Sequence, residues 1–238
     1  MAGPGLNGRN RLLAALTASD FALLAPHLES TRYAQGIVLQ EPGEPIERVY
    51  FPESGMISLL AVMATGNGVE TATIGKEGVA GVMAGLSGRR GVSRAVVQVG
   101  GDFSHIAVGH FRSAVDQSSS MQELVARYND AQITLVHQVA GCNALHPVAT
   151  RLCRWLLQTR DRCDSDVIPL THEFLSEMLG VQRSTVTLLA RELQDLGLIH
   201  YRRGRIEIID RGRLEEKACE CYATARRTID RVYAEPET

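Results

Sequence analysis

The chain has few of the features that a membrane-spanning, secreted or disulfide-stapled protein requires. Its longest apolar-rich stretches, such as Ile57–Met63, run about seven residues, against the roughly 20 needed to cross a bilayer. The N-terminus, MAGPGLNGRNRLLAAL, has neither a long apolar core nor a clear cleavage site, which argues against a signal peptide and for a cytoplasmic protein. The 5 cysteines are odd in number and scattered, unlike a disulfide framework. Cys142, Cys153 and Cys163 follow no metal-ligand spacing, and Cys219-x-Cys221 has no companion CxxC or HxxxH. These thiols therefore read as structural or incidental, with no metal and no cofactor expected. The N-terminal region contains no cysteine at all, which excludes an iron–sulfur cluster there. A net positive charge is also missing, the formal value being -2. A nucleic-acid partner is not thereby excluded, because a small basic face suffices to contact phosphates.

What the chain does have is two textures, with an apolar fraction of 45% that suits a folded protein. From about Tyr33 to Val108, short β-prone runs alternate with turn signals. The runs are Ile37–Leu39, Val49–Phe51, Ile57–Val62, Val69–Ile74, Val92–Val99 and Ser104–Val108. The turns are Glu41–Gly43, Pro52–Gly55, Thr65–Gly68, Gly75–Gly78, Gly88–Gly91 and Gly100–Asp102. Regular short strands with Gly/Pro turns predict a β-roll, barrel or sandwich. Helical segments Leu12–Leu16 and Phe21–Leu28 precede it. From Phe111 glycines thin out, and Met121, Leu124, Val125, Tyr128, Ile133, Leu135, Val136 and Val139 recur mainly at spacings of three or four. This predicts a long amphipathic helix to about Leu145, whose apolar stripe either pairs with a second copy or packs on its own β-domain.

The most informative stretch is LTHEFLSEMLGVQRSTVTLLARELQDLGLIHYRRGRIEIID. Pro147 opens a helix Val148–Thr159, and Val167–Leu170 reads as a short strand after the loop Asp161–Asp166. Thr171 is placed to cap a helix whose inward face is Phe174, Leu175, Met178 and Leu179. Gly180 permits a tight turn, Val181 fills the space between helices, and a second helix runs from about Gln182 to Leu196 with Val186, Leu189, Ala190, Leu193 and Leu196 inward. Gly197 ends it. Leu198–His200 and Arg205–Ile209, joined by Tyr201–Gly204, form a basic-tipped hairpin. A helix, a three-residue turn and a second helix is the arrangement that inserts the second helix into a major groove. DNA contacts are expected at Thr171, His172, Gln182, Arg183, Ser184, Thr185 and Thr187, and at the hairpin arginines Arg202, Arg203 and Arg205. Arginine can bond guanine O6 and N7 together, hydroxyls and helix N–H groups suit phosphates, and the hairpin arginines grip the backbone.

The stretch from His146 to Asp210 resembles the DNA-binding domain of the Crp/Fnr transcriptional regulators, through R-L-x-x-W-L-L (Arg151–Leu157), L-T-H-E-F-L-S-E-M-L-G, V-Q-R-S-T-V and G-L-I-x-Y-R-R-G-R-I. FPESGMISLL and IGKEGVAG resemble the same family's cyclic-nucleotide-binding-like β-roll. The resemblance implies an α+β fold: a double-stranded, jelly-roll-like β-roll over 1–115, a dimerisation helix over 116–145, a winged helix-turn-helix over 146–213, and a C-terminal helix and tail over 214–238. It implies a homodimeric, sequence-specific regulator of double-stranded DNA that also contacts RNA polymerase, with the Asp161–Asp166 loop where relatives carry an activating surface. Arg183 occupies the place of a guanine-reading arginine and Thr185 that of a phosphate-contacting threonine. Ser184 and Leu188 stand where the familiar pattern has an acidic residue and a second arginine, so the relatives' half-site does not transfer.

The residues argue against a cyclic nucleotide as effector. The ribose-binding turn reads Gly78-Val79-Ala80, with Glu77 one position early, and the phosphate-binding arginine is absent or displaced near Val92–Arg94. His105 and His110 are candidates for haem ligation but more simply belong to the sheet or surface. An unidentified small-molecule effector, or none, remains. An enzyme is not expected: His105 and His110 lack an HxH or nearby glutamate for a cupin-like metal, and no nucleophile elbow, Walker lysine or dinucleotide fingerprint occurs. A fold that lost its DNA readout would not retain an arginine-rich hairpin and an intact second helix.

Overall fold

The computed structural model describes residues 10–66, 68–82, 90–163 and 165–234. The expected turns Thr65–Gly68 and Gly88–Gly91, and the loop at 164, fall partly outside these residues. Two short helices, α1 (Arg11–Ala14) and α2 (Ala18–Leu24), open the fold, each started by a side-chain cap, Asn10 and Thr17. Seven strands follow: β1 (Glu29–Tyr33), β2 (Val38–Gln40), β3 (Arg48–Pro52), β4 (Met56–Val62), β5 (Gly68–Ile74), β6 (Arg94–Val99) and β7 (Gly101–Ala107). They form two antiparallel sheets, ordered β1-β7-β3 and β2-β6-β4-β5. Ile57, Ile74, Val97 and Phe103 are buried together as the core of the roll. In β5 the alternation buries Glu70, Ala72 and Ile74 and leaves the residues between them half-covered. Strand β1 was not expected. Its sequence ESTRY carries no apolar alternation because it is an exposed edge strand paired only with β7.

The helical stretch from Phe111 onward holds two helices, α3 (Val108–Gln117) and α4 (Ser119–Leu145), the second close to the long helix expected over 116–145. Ser118 breaks them: it is extended, its Oγ accepts from Met121 N at 3.1 Å, and it donates to the buried Asp20 carboxylate at 2.6 Å. Ser120 donates to the same carboxylate, and these bonds hold the Asp20 pKa below the ordinary range. Along α4, Met121, Leu124, Val125 and Tyr128 pack on the roll and on α1 and α2. Leu135 packs instead on Ala225 and Ile229 near the C-terminus. Two members of the predicted stripe are left uncovered by the chain itself, Ile133 being 52% and Val136 38% exposed.

The chain then passes through Pro147 into α5 (Val148–Cys163), β8 (Val167–Pro169), α6 (His172–Leu179), α7 (Arg183–Asp195), β9 (Ile199–Arg202), β10 (Arg205–Ile208), α8 (Arg211–Lys217) and α9 (Cys221–Val232). Strands β8-β10-β9 make a small antiparallel sheet. Helix α5 runs further than expected, so Asp161 is helical rather than in a loop; Tyr222 Oη donates to it at 2.5 Å and Arg211 lies at 3.5 Å. The core of this region is continuous with the roll: Met56, Leu60, Val96 and Val99 join Trp155, Leu156, Leu179 and Val186 in one apolar cluster. Helix α9 lies along α4 and α5, and Tyr233 Oη donates to the Glu77 carbonyl.

Candidate nucleic-acid interface

Each helix of the pair is ended by a glycine in the left-handed region. Gly180 has φ +65 and closes α6, with Val181 N bonded back to Ser176 O at 3.0 Å. Gly197, at φ +70, closes α7, with Leu198 N bonded to Leu193 O at 2.9 Å. These are Schellman closures, which satisfy the last carbonyls and turn the chain sharply. The turn Gly180–Gln182 thus sets α7 against α6 with Leu175, Met178, Leu179, Val186, Ala190 and Leu193 buried between them and the rest of the domain. Leu196, expected inward, is 44% exposed, because the closure carries the last turn clear of the core.

The N-terminus of α7 is open. Gln182 is its cap residue, but its side chain makes no cap hydrogen bond, so the first N–H groups point free toward solvent with the positive end of the helix dipole. Gln182, Arg183, Ser184 and Thr187 are exposed, and Thr185 is half-buried. The Arg183 guanidinium, 65% exposed, is braced at 2.5 Å by Glu173 across the turn. Thr171 caps α6 through Phe174 N at 3.3 Å. His172 stacks on Tyr201 with ring centroids 4.2 Å apart and faces the Thr187 hydroxyl through Nδ1 at 2.9 Å. Burial, then the nearby Arg183, lowers the His172 pKa, which keeps the ring neutral at pH 7. This stack fastens the hairpin to the helix pair.

The hairpin turn consists of Arg203 (φ +49) and Gly204 (φ +74). Two successive positive φ values are the primed turn that matches strand twist. It projects Arg202, Arg203 and Arg205 as exposed side chains, none of them in an ion pair among the described residues. Of the expected residues, Gln182, Arg183, Ser184, Thr187 and the three arginines share one open surface. Thr171, exposed, and His172, half-buried, are engaged in capping and stacking, and Thr185 is half-buried.

Sequence reasoning missed the polar joints that seat this domain on the roll. Trp155 Nε1 donates to Glu70 at 2.8 Å, and Ser58 Oγ donates to the same carboxylate at 2.6 Å. Burial outweighs these bonds and pushes the Glu70 carboxyl up to about 7. Arg162 Nε meets Glu77 at 2.6 Å in a nearly buried ion pair. Arg151 joins α4 to α6, donating to Asn143 Oδ1 at 2.7 Å and to the Leu179 carbonyl at 3.1 Å. Helix α6 also lies over β5, where a Cβ on Gly180 would stand 3.3 Å from Val69. The one signal in the sequence was the lone tryptophan within a helix rich in arginine. His105, by contrast, is buried in the sheet between Thr31 (3.0 Å) and Arg48 (3.1 Å), and His110 stacks on His27.

Comparison with known proteins agrees with this geometry. Residues 150–217 match the Crp-like helix-turn-helix domain. The global nitrogen regulator of Synechococcus elongatus is 23% identical over 193 residues, covering 77% of this chain and 86% of the relative. The structure of FixK2 from Bradyrhizobium japonicum superposes with TM-score 0.69 at 15% identity, over 81% of this chain and 98% of that one. A Crp-family transcriptional regulator of Thermus thermophilus gives 0.67 at 20% identity, over 79% and 96%. The fold is that of the Crp/Fnr regulators.

Proposed function

We propose that this chain, a Crp-like transcription regulator with a DNA-binding helix-turn-helix, acts as a homodimer on a palindromic operator. Two α7 helices enter successive major grooves about 34 Å apart, one from each protomer. Arg183 reads a guanine edge, Gln182, Ser184 and Thr187 line the groove, and Thr185 meets a phosphate. Arg202, Arg203 and Arg205 hold the backbone beside it. Thr171 and His172 act from behind, fixing the start of α6 and the seat of the hairpin. The observation that carries this reading is the open N-terminus of α7, accompanied by the exposed hairpin arginines. Selection of genomic fragments by the purified protein tests it: an enriched palindrome supports the proposal, and a uniform recovery of all fragments opposes it.

Dimerisation rests on α4. Ile133, Val136, Ala140 and Ala144 are exposed along one line at helical spacing, an apolar stripe with small residues toward its end that a second copy covers in parallel. The division into a sensor roll (1–115), a dimerisation helix (116–145), a winged helix-turn-helix (146–213) and a C-terminal helix (214–238) follows that assignment. Contact with RNA polymerase follows from the family resemblance.

The effector site suited to this chain is the cavity of about 320 Å³ between the roll and α4. Leu59, Ile74, Val79, Ala95, Ile133 and Val136 line it. Its described walls are mostly apolar, with Arg90, Ser93 and His137 among the few polar groups, and suit a largely apolar small molecule with a polar end. Glu77, the acidic residue nearest the expected ribose-binding position, is already held by Arg162 and by Gly75 N at 3.1 Å. Ile74 and Val79, which line the cavity, flank that glutamate in the chain. A ligand filling the cavity therefore acts on the segment that grips α5, which couples occupancy to the seat of the DNA-binding domain. Calorimetry tests this: tight binding of cyclic AMP or cyclic GMP contradicts it.

A further inference from the structure

Where α4 hands over to the DNA-binding domain, four potential metal ligands converge that sequence spacing had kept apart. Cys142 lies on the last turn of α4, His146 caps that helix, and Cys219 and Cys221 lead into α9. Their ligand atoms all fall within 4.8 Å of one another. Cys142 Sγ is 3.6 Å from Cys219 Sγ, and Cys221 Sγ is 3.5 Å from His146 Nδ1. With metal–sulfur bonds of about 2.3 Å and metal–nitrogen bonds of about 2.0–2.1 Å, tetrahedral ligand atoms stand roughly 3.5–3.8 Å apart. The three thiols are buried, and the imidazole closes the open side. The set is too tight for a multi-iron cluster and matches a single ion.

Three features around the set fit a metal centre rather than four adjacent side chains. The far nitrogen of His146, Nε2, lies 3.1 Å from Glu220 Oε1, the carboxylate–histidine arrangement that orients a metal-bound imidazole through Nδ1. Gln138 Nε2 donates to Cys221 Sγ at 2.9 Å, as amides do to metal-bound thiolates. Arg151 and Arg154 are buried beside the thiols, and the Nε of each has no hydrogen-bond partner. Three thiolates and an imidazole on a divalent cation carry one net negative charge, which the buried guanidinium groups offset.

We propose that Cys142, His146, Cys219 and Cys221 form a structural Cys3His site for zinc. On binding, the cation displaces the three thiol protons to solvent, so affinity rises with pH. The ion bonds the end of α4 to the start of α9 across 77 positions of sequence, at the point where Pro147 redirects the chain into α5. It thereby fixes the angle at which the DNA-binding domain leaves the long helix.

The test uses the full chain purified under reducing conditions without chelator. Mass spectrometry of metals is expected to give about one zinc per chain. After the metal is stripped, cobalt titration is expected to produce thiolate-to-cobalt charge transfer and intense tetrahedral d–d bands, saturating at about one equivalent. Cys219→Ser should weaken cobalt binding by at least tenfold, while Cys153→Ser and Cys163→Ser leave it unchanged. His146→Cys guards against loss of fold: it should keep the ion and strengthen the charge-transfer band. Folded protein that takes up no cobalt, or that gives a weak octahedral spectrum, would overturn the proposal. So would a Cys142–Cys219 disulfide persisting in reduced preparations.

Discussion

At the scale of residues, Arg183 and the hairpin arginines are assigned different tasks, and the difference is measurable. Arg183→Ala should relax base preference at one operator position and cost about 1–3 kcal/mol there. Arg203→Ala should weaken binding to all sequences alike and lower the salt slope by about one. Competition binding on a substituted operator set separates the two; equal losses for both variants on specific and random DNA would refute the division. Glu70 makes a second prediction. The folded protein holds a proton on this carboxyl up to about pH 7, whereas an unfolded chain releases it near 4.3. Its contribution, about 4 kcal/mol, is complete below the unfolded pKa and is lost as pH rises through the folded value. Denaturation midpoints should fall between about pH 4 and 7 for this reason, and Glu70→Gln should flatten that fall. The exposed residues proposed to face DNA could be picked out in the sequence because their types suit the chemistry and their order is local. Glu70, Glu77 and Arg162 were not, because a charged side chain reads as surface until the fold brings a distant partner to it.

At the scale of elements, glycines were the reliable punctuation: Gly180 and Gly197 end α6 and α7 as their sequence context predicts. Hydrophobic periodicity found α4 but could not tell which part of its stripe is covered from within the chain. The proximal part, through Tyr128, and Leu135 are covered by the roll, the N-terminal helices and α9, while Ile133, Val136 and Ala140 are left exposed. Ala140→Glu places like charges face to face in a parallel pair without touching the buried core, so it should shift the protein to monomer in sedimentation equilibrium. An unchanged mass would remove this stripe from the interface. The break at Ser118 and the edge strand β1 escaped the pattern because polar side chains, rather than apolar ones, decide them.

At the scale of the molecule, the DNA-binding domain and the roll share one apolar cluster and two buried polar joints, so they should unfold together. Arg162→Ala leaves Glu77 nearly buried without its cation, a loss of about 3–5 kcal/mol. Differential scanning calorimetry should show one lowered transition; a second, separate transition would show the coupling to be weaker than described. The β-roll and the helix-turn-helix followed from local signals, whereas the way the parts lean on each other depends on polar joints that span 85 positions. The most direct test of the whole account is recovery of genomic DNA fragments by purified protein at near-physiological salt. Enrichment of a palindrome with half-sites about one helical turn apart is expected, and its loss in Arg183→Ala. Folded protein that binds no DNA under these conditions would contradict it.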